Sequence, residues 1–328
     1  MKKALVIGID DYPSAPLQGC VNDATAVAQL LEVHGDGSPN FSVRLLTSND
    51  LEVNSDVLSQ AVAELFRGHA ETALLYFAGH GIINPDTNAG YVVSRDGRKG
   101  AWGMSLSEIL GLANGAHPRI QSSVIILDAC HSGYAGEVAG LPAGAASPIG
   151  TGVTILTASE RDGEAAEGLR HGLFTEILID GLQGGCSDIL GNITPASLYS
   201  HVDQTLGPWE QRPLYKANVQ SFVTLRQVAP KVPPDVLRRL PTYFPERAWV
   251  YPLDPSFEED RRNVPELDLI PVNPENVRIF KELQKCNRHG LVVPVDAEHM
   301  YYAAINSKGC RLTALGAHYR KLAEMKRL

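Results

Sequence analysis

The chain has 328 residues, 44% of them hydrophobic and 20% charged, enough for one large domain and a smaller one. Its net charge of −8 argues against bulk binding to nucleic acid. The five cysteines, Cys20, Cys130, Cys186, Cys286 and Cys310, are odd in number and widely spaced, without a C-x-x-C pair. Neither a zinc site nor a disulfide framework is expected, and a reducing compartment fits.

The chain starts MKKALVIGIDDY. The basic start mimics a signal peptide, but the apolar run stops at Asp10-Asp11, too soon for a signal-peptide core. No later stretch is long and apolar enough to span a membrane, so a cytoplasmic protein without a membrane partner is expected.

Up to about residue 225 two patterns alternate. Short apolar runs at 4–9, 42–46, 73–78, 123–127 and 153–158 predict buried strands. Helical spacing predicts helices over 22–34, with Asn22 as N-cap, and over 54–68, 105–114 and 172–182. Continuous apolar strands alternating with helices predict an α/β fold, a mostly parallel sheet with helices on both faces. Ligands of such sheets bind beyond the carboxyl ends of the strands.

Residues 227–270 break this rhythm with PKVPP, LPTYFPE and YPLDPS and the charged run EEDRR. They read as a proline-rich linker, extended or wrapped over the first domain, with aromatics that imply partial docking. Residues 271–328 read as a second unit: a helix over 274–287, the strand LVVPV, a helix near 296–304, a turn at Ser307-Lys308-Gly309 and a closing helix. That order resembles a winged-helix arrangement. The unit holds ten Lys and Arg against five Asp and Glu, so it is basic on an acidic chain. The expected boundaries are 1–226, 227–270 and 271–328.

Two strands end alike. ALLYFA-GHG puts His80 between two glycines, and SVIIL-DACHSG puts Cys130 just past an aspartate, 50 residues later. In one parallel sheet both side chains emerge at the same edge. A lone cysteine after a strand is usually a small buried hydrophobe, and a lone histidine in a glycine-rich loop is usually a turn residue. The matched contexts favour chemistry instead. An imidazole can raise the thiolate fraction of a nearby thiol or move its proton, and the backbone N–H groups of Gly81 and Cys130 are placed to hold an oxyanion. His131 is a rival base, but neighbours in sequence point in different directions, so His80 is preferred.

FAGHG followed by DACHSG resembles the caspase-like cysteine peptidases, and among them the metacaspases and their bacterial relatives more than the animal caspases. IGIDDYPSAPLQGCVNDA (7–24) is similar to the start of a metacaspase domain, and ASERDGEAAEGLRHGLFTEIL (158–178) to the segment after the catalytic cysteine. The resemblance covers about residues 1–225. It implies the caspase-hemoglobinase fold and peptide-bond hydrolysis by a His80/Cys130 dyad.

Asp128, two residues before Cys130, stands where the animal caspase signature has glutamine. A carboxylate there pairs with a basic substrate residue and repels an acidic one. The metacaspase resemblance adds Asp23 as a second acidic wall and Cys20 as a lining residue. Asp23 also suits the first turn of a helix on electrostatic grounds alone. Metacaspase-like enzymes often need calcium, but residues 81–127 offer only Asp86, Asp96 and Glu108, few for an ion that wants six or more oxygens. No cofactor is expected.

Self-cleavage between His131 and Glu160 is excluded for an Arg/Lys-specific enzyme, since that stretch has no Lys or Arg. Arg98-Lys99, Arg161, Arg238-Arg239 and Arg261-Arg262 remain, the last two within the expected linker. The expected function is an endopeptidase cutting protein substrates after Arg or Lys, in bacterial stress response, cell death or defence. Residues 271–328 would serve an upstream activating protein rather than nucleic acid. A non-catalytic scaffold and a DNA-binding regulator are the competing readings.

Overall fold

The computed structural model describes residues 1–84, 86–129, 149–158, 172–208, 212–261, 267 and 269–328. They divide into one unit of Met1–Ser187 with Gly191–Ala229, and another of Asp188–Leu190 with Pro230–Leu328.

The first unit opens with β1 (Lys2–Gly8), α1 (Cys20–Glu32), β2 (Phe41–Thr47), α2 (Ser55–Leu65) and β3 (Ala70–Ala78). A meander of β4 (Gly81–Asn84), β5 (Ala89–Arg98) and β6 (Ala101–Ser105) follows, then α3 (Leu106–Ala116) and β7 (Ile120–Asp128). β8 (Val153–Thr157), α4 (Leu173–Asp180), β9 (Asn192–Ile193), α5 (Pro195–Leu206), β10 (Leu214–Asn218) and β11 (Arg226–Gln227) complete it.

Among the described residues the main sheet runs β10-β8-β7-β3-β1-β2. Only its edge strand β10 is antiparallel to its neighbour. The expected strands are all present, because both faces are covered and their apolar runs are continuous. Leu5, Ile7, Phe77, Ile125 and Leu127 point to one face, with α2, α3 and the meander. Val6, Tyr76, Ala78, Val124 and Ile126 point to the other, with α1, α4 and α5. The expected α/β architecture is the observed one.

Local chemistry sets the helix starts. Asn54 accepts the Val57 N–H at the head of α2, and Ser105 and Glu108 form a capping box on α3, each satisfying an otherwise orphaned donor. α1 differs from expectation. It starts at Cys20, two residues before Asn22, behind a left-handed Gly19 without a side-chain cap. Asp10, just past β1, caps it from outside by accepting the Cys20 and Val21 N–H groups at 2.9 and 3.2 Å.

The second unit is built from α6 (Pro234–Tyr243), β12 (Val250–Pro252), α7 (Pro274–Arg288), β13 (Val292–Val295), α8 (Met300–Ile305), β14 (Gly309–Leu312) and α9 (Ala314–Glu324). Its sheet runs β12-β14-β13, antiparallel throughout. Leu237, Leu240, Phe244, Phe257, Phe280, Leu283 and Met300 share its core. The Glu282 carboxylate ties α6 to α7, accepting from Arg239, Arg278 and the Tyr243 hydroxyl.

Two expectations change here. Residues from Pro230 onward belong to the second unit, so the stretch read as a linker is largely folded structure. Pro234 and Pro255 stand at the first turns of α6 and of a short 3-10 turn at Pro255–Phe257, as does Pro274 just beyond at that of α7, where a missing N–H costs nothing, whereas Pro241 lies inside α6. The closing elements also include β14, directly after the turn at Ser307-Lys308-Gly309.

Candidate active site

β3 and β7 lie side by side, and their register pairs residues fifty apart, from Ala70↔Ile120 to Ala78↔Asp128. The Gly79 N–H continues it, donating to the Asp128 carbonyl at 3.3 Å. His80 and Cys130 share that offset. Cys130 and the rival base His131 lie outside the described residues.

The His80 ring is fixed from two sides. Its Nε2 lies 2.7 Å from the Ala15 carbonyl oxygen. A carbonyl only accepts, so Nε2 carries a proton, and in the neutral ring Nδ1 is the acceptor. The Tyr12 ring packs against the imidazole at 4.6 Å between centroids. Its hydroxyl accepts the His80 backbone N–H at 3.1 Å and donates to the Val93 carbonyl at 3.1 Å. Val93 N–H in turn donates to the His80 carbonyl at 2.9 Å. The Tyr12 hydroxyl therefore stands in for the missing half of a His80–Val93 ladder pair.

This settles the direction of Gly81. Paired residues of an antiparallel ladder alternate between bonded and non-bonded positions. His80–Val93 is a bonded position, so Gly81, opposite Val92, sits at a non-bonded one. Its N–H is turned away from β5. Gly79 is required by the same arrangement: a Cβ there would meet the Tyr12 hydroxyl oxygen at 2.5 Å.

The acidic residues gather on the opposite face of the sheet, the α1 and α4 side. Asp128 ends β7 half-buried and accepts the Thr175 hydroxyl at 2.6 Å; that hydroxyl also pairs with the buried Tyr76 OH at 2.6 Å. Asp23, on α1 and 3% exposed, accepts the Gly172 N–H at 3.3 Å. The two carboxylates converge on Gly172, where a Cβ would lie 3.3 Å from Asp128 Oδ2 and 3.5 Å from Asp23 Oδ2. Negative charges directed at one point favour a cation there.

Cys20 borders the same cluster. Burial pushes its thiol far above the ordinary range, and the charges of Asp10, Asp128 and Asp23 add to the effect. Such a thiol stays protonated at neutral pH and is a poor nucleophile. Burial and the same pair, Asp128 and Asp23, hold the Tyr76 hydroxyl neutral as well.

Tyr12, Ala15, Asp10, Thr175 and Gly172 were not singled out from the sequence. Tyr12 and Asp10 fall within IGIDDYP, and Thr175 and Gly172 within the segment after the cysteine, so motif context could have flagged them, but only the fold shows what each touches.

Two of the three carboxylates between the strand ends are engaged within the fold. Asp96 accepts the Ser55 N–H and the Ser94 hydroxyl, and Glu108 is held by Ser105. Among the described residues no three His, Cys, Asp or Glu side chains form a metal-binding group, nor is any helix long and apolar enough to cross a membrane.

A family model described as the caspase domain of peptidase family C14 matches residues 1–224. The chain belongs to the caspase family. Solved structures similar to this caspase-family chain include a Geobacter sulfurreducens protein, 16% identical over 70% of this chain and 97% of that one, with a TM-score of 0.49. Caspase-1 from Spodoptera frugiperda is 13% identical over 69% of this chain and 90% of its own, with a TM-score of 0.47. No curated protein matches the sequence. Membership in the caspase family supports a cysteine-peptidase type of function.

The structure also places most of the basic residues named as candidates for self-cleavage. Arg238-Arg239 lies within helix α6 of the second unit, so a cut there would not release that unit. Arg261 is buried, its guanidinium donating to the carbonyls of Glu258, Leu267, Ile270 and Pro255. Arg262 and Arg161 lie outside the described residues. Arg98-Lys99 is exposed at the β5–β6 turn.

Proposed function

We propose that this caspase-family chain is a cysteine endopeptidase cutting after Arg, and less well after Lys, with Cys130 as nucleophile and His80 as its base. The Cys130 thiolate adds to the scissile carbonyl carbon, with the Gly81 and Cys130 N–H groups holding the oxyanion. The C–N bond then breaks, and the leaving amine takes its proton from His80. Water, losing a proton to His80, hydrolyses the thioester and restores the thiol.

The observation that carries the specificity is the convergence of Asp23 and Asp128 on Gly172. A guanidinium offers a planar fork of donors to paired carboxylates, whereas an ammonium is a point charge. Aspartate at 128 also supports placing the chain with metacaspase-like members and a role in bacterial stress response, cell death or defence. For the second unit we favour an adaptor role toward an upstream activating protein; its separate core and the basic balance of 271–328 support it.

A cleavage profile over a peptide library, with wild type and Cys130→Ala, tests the reading. Cuts confined to Arg and Lys in the wild type alone would sustain it; a profile unchanged by Cys130→Ala would end it.

A further inference from the structure

The active-site edge holds a concavity beside the proposed base. A cavity of about 300 Å³ opens against His80, walled chiefly by Tyr12, Pro13, Ala15, Ile82, Val93 and Trp102. Neither Asp23, Asp128, Cys20 nor Gly172 borders it. Tyr12 packs with Phe77 and Leu127 on one face of the sheet, whereas the acidic cluster surrounds Tyr76 on the other. His80 stands just past the end of β3 and lines this cavity.

We infer that this cavity receives the substrate residue that follows the scissile bond and that it selects an apolar, bulky side chain. The inference rests on the peptidase reading above. The leaving amine must come within hydrogen-bond reach of the imidazole that protonates it. The residue carrying that amine therefore lies against His80, on the side away from the carboxylates that hold the preceding residue. The hollow walled by His80 is where its side chain goes.

The lining sets the chemistry. The two charged residues at the rim are engaged elsewhere. Arg95 pairs with Asp11 at 2.7 Å and Glu52 at 2.9 Å, and Asp96 holds Ser94 and Ser55. What remains for a ligand is aromatic and aliphatic surface with a flat indole wall. Aromatic side chains bury about 150–250 Å² each, so a cavity of this size rewards Phe or Leu and leaves Gly without contact.

The test uses internally quenched peptides with Arg fixed before the bond and Gly, Leu, Phe or Asp after it. In parallel, Cys130 is labelled with an Arg chloromethyl ketone, which carries no residue on the leaving side. Phe and Leu peptides should exceed the Gly peptide in kcat/KM by about tenfold or more, and the Asp peptide should be poor. Trp102→Ala should narrow the Phe-to-Gly ratio; should it fail to fold, Ile82→Ala replaces it. An enzyme that is labelled but cuts Gly as fast as Phe, or keeps its ratio in both wall variants, overturns this inference alone. Absence of both labelling and cleavage overturns the peptidase reading and this inference with it.

Discussion

The Tyr12 hydroxyl holds the backbone of His80 at 3.1 Å while its ring packs on the imidazole at 4.6 Å. One side chain from the loop after β1 thus fixes both the main chain and the ring of the proposed base. Tyr12→Phe keeps the ring and deletes the bridge, leaving the His80 N–H and the Val93 carbonyl without it. An unsatisfied buried polar group costs about 1–3 kcal/mol. We expect kcat/KM to fall about tenfold or more, with a matching drop in the rate of Cys130 alkylation and a shift in its pH profile. Gly79→Ala should mimic this loss, because its Cβ would displace the hydroxyl. Unchanged alkylation in Tyr12→Phe would show that the bridge has no hold on the imidazole.

The dyad itself is tested by three substitutions. Cys130→Ala and His80→Ala should each abolish peptide hydrolysis with the circular dichroism spectrum intact, and His131→Ala should retain it. Turnover that survives in His80→Ala and disappears in His131→Ala would transfer the role of base to His131.

The strands were legible because their apolar runs are continuous, and His80 because glycines frame it directly after such a run. Asp23 and Asp128 were legible as charges, but their meeting at Gly172 depends on how α4 returns to the sheet. The start of α1 was misread because its cap, Asp10, comes from another element ten residues away. The linker was misread because proline marks both extended chain and the first turn of a helix, and composition cannot separate the two. Tyr12 bridges His80, just past β3, and Val93 of β5, a relation that exists only once both strands are placed.

The cysteines differ enough to be told apart chemically. Burial pushes the thiols of Cys286 and Cys310 up to about 12, and Cys20 is raised further by burial and three carboxylates. All three should resist iodoacetamide at pH 7.5 in the native protein and react once it is unfolded, since the thiolate is the reactive form. Mass spectrometry of tryptic peptides after brief native labelling reads this directly. Rapid modification of Cys20 would contradict its placement among those carboxylates.

Calcium should not be required. Asp96 and Glu108 are committed to hydrogen bonds within the fold, and a calcium ion wants six or more oxygen ligands. Hydrolysis should therefore persist in EGTA. Full loss of activity that added calcium restores would show that a calcium site exists elsewhere.

The sharpest expectation concerns the residue before the scissile bond. Asp128 is oriented by Thr175, whose hydroxyl donates at 2.6 Å, and it shares the approach to Gly172 with Asp23. A hydrogen bond to a charged group is worth about 1.5–3 kcal/mol, so removing one carboxylate should reduce kcat/KM roughly ten- to a hundredfold. Asp128→Asn preserves shape and removes charge. It should weaken Arg peptides far more than it alters alkylation of Cys130, and Lys peptides less, because lysine never used both carboxylates as a fork. Thr175→Val should give a smaller loss in the same direction, since it frees the carboxylate to rotate without discharging it. Peptides with Asp at this position should be refused by the wild type, as like charges would meet in a partly desolvated site. The measurement is kcat/KM for matched peptides with Arg, Lys, Asp or Leu before the bond, for all three proteins. Equal rates on Arg and Leu peptides in the wild type would remove the acidic cluster from substrate selection and leave Asp128 a structural partner of Thr175.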